Sequence, residues 1–137
     1  MSRLSHGFSA GAVGALANLV FVAIMAALGV TGLFEVELPR PEMPGYLYKQ
    51  VVWGGLWGFI FLLPVLTGRS VARGLLFGTL PSLVTLLIIF PARTMGQLGP
   101  GLFGVNAGPA LPALVFAANW IWGLAAAFWH RKMTAPA

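Results

Sequence analysis

The chain has no cysteine, no aspartate and only three acidic residues, all glutamate, among its 137 positions. Without cysteine there is no disulfide, no thiolate metal site, no cysteine-held iron–sulfur cluster and no thiol redox chemistry. Without aspartate no Ser-His-Asp set can be assembled. Charge of either sign is scarce, at 8% of residues, against about a quarter in a soluble domain. A surface so poor in charge would not be solvated. The glutamates, Glu35, Glu37 and Glu42, all fall in one stretch between apolar runs. No carboxylate therefore lies inside a run, where a proton relay or an ion-coupled transporter would need one. Glu35 and Glu37 alternate with hydrophobic residues, which fits an extended surface segment rather than an acid–base pair. No catalytic residues and no metal ligands are assigned, and the chain is not expected to be an enzyme.

What is present is apolar. Hydrophobic residues make up 58% of the chain, in runs of about 20, long enough to cross a roughly 30 Å hydrocarbon core as helices. The expected class is all-α: a polytopic integral membrane protein, one four-transmembrane-helix bundle over 1–137. Its spans cover about 8–29, 49–66, 71–91 and 110–129, with outer loops at 30–48 and 92–109. The second span is short and carries Pro64; Tyr46 or Tyr48 suit an interfacial start. Spans two and three are joined by "TGRS" (67–70) and are expected to be antiparallel neighbours. The glycine-rich segment "ARTMGQLGPGLFGVNAGP" is too apolar for an ordinary solvated loop. It is expected to fold back on the bundle or lie in the interface. It has no lysine at phosphate-loop spacing, so phosphate binding is not expected there.

Lysine and arginine set orientation. Arg3, Arg69, Arg73, Arg131 and Lys132 fall on one side; Arg40, Lys49 and Arg93 fall on the other. The first side is expected to be cytoplasmic, with both termini, in a bacterial-type inner membrane. The net charge of +5 would suggest nucleic acid in a soluble protein. Here the basic residues stand singly or in pairs beside apolar runs, so anionic lipid head groups are the expected partners and nucleic acid is not. The basic start and "AALG" resemble a signal peptide, but the apolar stretch exceeds the usual h-region, and the first span is expected to be retained.

A shift of 64 residues lays "GALANLV" (14–20) on "GTLPSLV" (78–84), and 65 lays "LWGF" (56–59) on "IWGL" (121–124). The two hairpins are thus candidates for parallel repeats. Gly7, Gly11, Gly14 and Asn18 are spaced 4, 3 and 4 apart, one helical face. Gly74, Gly78, Ser82 and Thr85 repeat the design; Gly54 with Gly58, and Asn119 with Gly123, supply smaller versions. These stripes are read as packing seams, because in lipid helices associate by close backbone approach and hydrogen bonds rather than by apolar burial.

The tryptophans divide. Trp53 and Trp129 lie near span ends and fit an aromatic belt, whereas Trp57, Trp120 and Trp122 lie near mid-span, where an indole N–H needs an acceptor. Asn18, Ser82 and Asn119 share that depth. The layer reads first as a polar and aromatic lock on the bundle. The alternative is a midplane site for a flat apolar molecule or a permeating solute. His6 and His130, at the ends of the terminal spans, read first as interfacial residues beside basic anchors. If spans one and four adjoin, they become lesser candidates for haem ligation or quinone contact.

Three functions are therefore expected, in order. The first is an accessory or structural subunit packing against a larger membrane complex, its lipids or pigments, through exposed Phe59, Phe61, Phe116 and Phe128. The second is a homo-oligomeric channel or facilitator for a small neutral solute. The third is a haem- or quinone-binding electron-transfer subunit. No cofactor is required by the first two.

Overall fold

The computed structural model describes residues 2–34, 42–91 and 108–136. Glu35, Glu37, Arg40, Arg93 and most of the glycine-rich outer loop lie outside the described residues. All regular structure among the described residues is helical. Helix α1 covers Arg3–Ala27 and starts at Ser2, whose hydroxyl accepts from the Ser5 N–H at 3.2 Å, satisfying one free donor of the first turn. It stops at Gly29, whose φ of 76° is left-handed, the backbone state that glycine tolerates best. A single turn, α2 (Val30–Leu33), follows.

Helix α3 (Gly45–Trp57) tightens into a 3₁₀ segment over Gly58–Leu62, and the backbone is extended at Leu63. Two features explain the early end. Pro64 pushes Leu63 out of the helical region, and Gly54, Gly55 and Gly58 weaken the helix before it. Over the second expected span, 49–66, the structure has helix from Gly45 to Leu62. Helix α4 (Ser70–Val84) contains Pro81 and widens into a π-helical stretch at Thr85–Ile89. Pro81 has no N–H to give the Phe77 carbonyl, a common origin of helix irregularity. Helix α5 (Leu111–Thr134) has Pro112 in its first turn and Arg131 and Lys132 in its last, each suited to its end of the helix dipole.

Among the described residues, three helical stretches are long and apolar enough to cross a membrane: Arg3–Ala27, Ser70–Ile89 and Leu111–Thr134. The stretch from Gly45 to Leu62 is not among them.

Packing follows the order α3, α1, α5, α4. Each neighbouring pair is antiparallel: Gly7 meets Gly58 and Gly11 meets Gly54, Gly11 meets Trp122 and Asn18 meets Asn119, and Gly74 meets Gly123 and Gly78 meets Asn119. The expectation that α3 and α4 pack together because their connection is short is overturned: they make no extended contact. Each instead finds its glycine partner elsewhere, α3 on α1 and α4 on α5. The outer pair meets through the Phe61 ring, edge-on to Phe77 at 5.0 Å, and through Arg73 of α4 on carbonyls at the end of the α3 stretch. Phe61 is therefore core, 1% exposed, and not the outward aromatic expected of it. It lies with Ala10, Phe77, Trp122, Ala126 and Ala127. Phe59 and Phe128 are exposed, and Phe116 is half-buried against Trp120.

Candidate functional site

The glycine stripes mark where backbones meet. A methyl group on Gly11 would overlap the Gly54 carbonyl and come within 2.7 Å of Gly58 Cα. On Gly7 it would lie 3.2 Å from the Gly58 carbonyl. Gly74 and Gly123 face each other in the same way between α4 and α5, and Gly78 lies against the Asn119 backbone. The stripe on α1 is divided between two partners: Gly14 faces α5, where an added Cβ would meet the Trp122 carbonyl at 2.6 Å. Gly55 leaves room for the Phe8 ring. These contacts do not keep the 64-residue register found in the sequence. The shifts equate Gly58 with Gly123 and Gly7 with Val71, yet Gly58 meets Gly7 and Gly11 whereas Gly123 meets Gly74 and Gly78.

Further along the helices, polar side chains form a chain of hydrogen bonds across three of them. Asn18 Nδ2 on α1 donates to Asn119 Oδ1 on α5 at 3.4 Å. Asn119 Nδ2 donates to Ser82 Oγ on α4 at 3.1 Å, and that hydroxyl donates to the Gly78 carbonyl at 2.9 Å. The indoles are matched as well: Trp122 Nε1 donates to the Gly11 carbonyl and Trp120 Nε1 to Thr79 Oγ1, each at 3.0 Å. Trp57 packs against the core, with its ring edge-on to Trp53. Asn119 is the central member of the chain, so Asn119→Leu removes two bonds and Asn18→Leu one. Such bonds average about 0.6 kcal/mol between helices in lipid. Thermal unfolding in one detergent is therefore expected to rank Asn119→Leu below Asn18→Leu, by up to about 1 kcal/mol.

The second polar region is at the end of the helices that carries the N-terminus. A cavity of about 490 Å³ opens there, between the start of α1, the segment after α3, the start of α4 and the end of α5. Arg3, His6, Arg73, His130 and Arg131 line it, with the hydroxyl residues Thr67, Ser70 and Thr134. Its apolar wall includes Leu4, Phe61, Leu62 and Pro64. His6 and His130 are thus brought to one cavity because α1 and α5 adjoin. Among the described residues no group of side chains has the make-up of a metal site.

Arg73 lies at the end of the helices that the sequence gives it, but it is 6% exposed rather than free at the surface. Its Nη2 donates to the carbonyls of Phe61 and Leu63, the latter at 3.0 Å. Its Nη1 lies 3.5 Å from His130 Nδ1. The guanidinium carbon is 5.3 and 5.6 Å from the ring centroids of Phe61 and Phe77, within cation–π range. The physical cause is the early end of the helical turn at Leu62. The last carbonyls of a helix have no partner of their own, and Arg73 supplies donors from a neighbouring helix while its charge faces the negative end of that helix's dipole. The signal was present in the spacing: Ser70, Gly74, Phe77, Gly78 and Ser82 are the buried face of α4, and Arg73 falls within it.

No protein-family model matches the chain, and searches of curated proteins and of solved structures find no match either.

Proposed function

We propose that this chain is a non-catalytic, polytopic inner-membrane protein with both termini in the cytoplasm, acting as an accessory or structural subunit beside a larger membrane complex. One observation carries the reading. Asn18, Asn119, Ser82 and Trp122 are bonded within the bundle, while the outward faces offer large apolar side chains, among them Leu16, Val20 and Ile24 on α1, Leu83 on α4, and Leu87 and Ile88 on the π-helical stretch after it. Most of the apolar surface faces outward, and among the described residues no cluster of metal-binding type lies inside. A fourth crossing is supported by length. Thirteen residues of α3 and five of 3₁₀ helix rise about 30 Å together, the thickness of the hydrocarbon core.

The test is the native mass of the chain extracted from its own membrane into nanodiscs. A stable complex with a chain of different sequence is the expected result. A closed homo-oligomer would sink the subunit reading and favour the channel, whose path would then run between copies, since Asn18, Asn119 and Ser82 fill the interior with mutual bonds. The electron-transfer reading gains from one fact, that His6 and His130 line a common cavity. It is checked on the same sample by visible absorption for haem and by solvent extraction for quinone.

A further inference from the structure

We propose that the end cavity beside Arg73 binds an anionic phosphate group. Arg3, Arg73 and Arg131 bring three permanent positive charges to its wall, and among the described residues that wall contains no acid. The one acid among the described residues, Glu42, precedes α3 at the opposite end of the helices. Arg73 is held by neutral carbonyls, which fix its direction without cancelling its charge, and its buried Nε–H has no partner. A buried cation without a counter-ion is strongly unfavourable, and among the described residues none meets Arg73; an anion held in the cavity would supply it.

Phosphate suits this cavity better than a carboxylate. Donors converge from α1, α4 and α5, and a phosphate presents several acceptor oxygens to them, with the fork geometry that arginine matches. Depth agrees as well. The cavity is at helix ends, where head groups lie, and basic pockets between transmembrane helices bind phosphate-bearing lipids. Leu4, Leu62 and Pro64 provide an apolar side for whatever the phosphate is attached to.

The experiment uses the full chain in phosphatidylcholine nanodiscs with and without phosphatidic acid, counting retained lipid by native mass spectrometry. Phosphatidic acid is expected to be retained over phosphatidylcholine. Arg3→Gln combined with Arg131→Gln is expected to weaken its retention about tenfold or more. Arg69→Gln with Lys132→Gln removes equal charge from the same end but from residues that do not line the cavity, and is expected to change retention less than twofold. Arg73→Gln tests the buried charge directly; the rim pair keeps the test open if that variant does not fold. Inorganic phosphate separates the sources: displacement of the lipid assigns the site to free phosphate as well, and no displacement assigns it to a lipid head group. Equal losses in the two double variants, equal retention of both lipids, or equal retention of a fatty-acid carboxylate would each overturn the proposal.

Discussion

Gly11→Ala and Gly58→Ala are each expected to destabilise the protein by about 2 kcal/mol or more. Gly45→Ala and Gly68→Ala are expected to stay within about 0.5 kcal/mol of the parent. The four substitutions add the same methyl group, so only its surroundings differ. On Gly58 it would come within 2.7 Å of Gly11 N and 2.8 Å of Gly11 Cα; on Gly45 or Gly68 it would meet nothing within 4 Å. The obstructing atoms at Gly11 and Gly58 belong to backbone, which cannot rotate aside as a side chain can. The two helices must therefore separate, and the contacts around the crossing weaken along with it. Replacing a helical glycine by alanine gains up to about 1 kcal/mol in propensity, which works against the expected loss and makes its sign informative. In lipid the separated helices recover nothing by burying apolar surface again. Unfolding of the four variants in a common detergent checks the expectation. Similar stabilities for all four would mean that α1 and α3 do not meet through these glycines.

The sequence made the all-helical class legible because long apolar runs with charge at their ends leave a simple signature, and three of the described helices are long and apolar enough to cross a membrane. It also placed Gly7, Gly11, Gly14 and Asn18 on one face, since spacing alone decides that. It did not say that the face is shared, with Gly7 and Gly11 toward α3 and Gly14 toward α5. A one-dimensional stripe has no information about how many partners it touches. The neighbour relation failed for a related reason. A short connection between spans two and three implies proximity at one end, but packing along the length depends on which faces carry small residues, and α3 and α4 each spend theirs on another helix. The burial of Arg73 was not legible because positive charges near span ends are counted for orientation without asking which face they occupy. Its carbonyl partners exist only because the helical turn stops at Leu62, an outcome of Pro64 and the preceding glycines that no charge count contains. Phe61 was assigned outward for the same lack of a face, and it became the ring that Arg73, Phe77 and Trp122 surround.

Trp122→Ala is expected to cost about 3–5 kcal/mol, and Trp120→Ala only about 1 kcal/mol, although the sequence places both near the middle of one span. Trp122 is 3% exposed and Trp120 is 39% exposed. The Trp122 ring lies 5.8 Å from that of Phe61, and the space above Gly14 and Gly54 is occupied by its own atoms. Removing it leaves a void bounded by α1, α3 and the core, and the glycines there have no side chain with which to fill it. Trp122→Phe separates filling from hydrogen bonding. It keeps an aromatic ring in place but withdraws the donor from the Gly11 carbonyl, which retains its place in the helix, so the expected loss is about 1 kcal/mol. Gly14→Ala supplies the complementary change. An added Cβ meets Trp122 Cδ1 at 2.7 Å and the Trp122 carbonyl at 2.6 Å, and only the first of these clashes disappears with the indole. Gly14→Ala should therefore be less harmful in the Trp122→Ala background than alone, by at least about 0.5 kcal/mol in a double-mutant cycle. Strict additivity, or equal losses for the two tryptophans, would show that Trp122 does not join α1 to α5. The expected coupling would make that indole the piece that lets three glycine-lined helices close on one another without a gap.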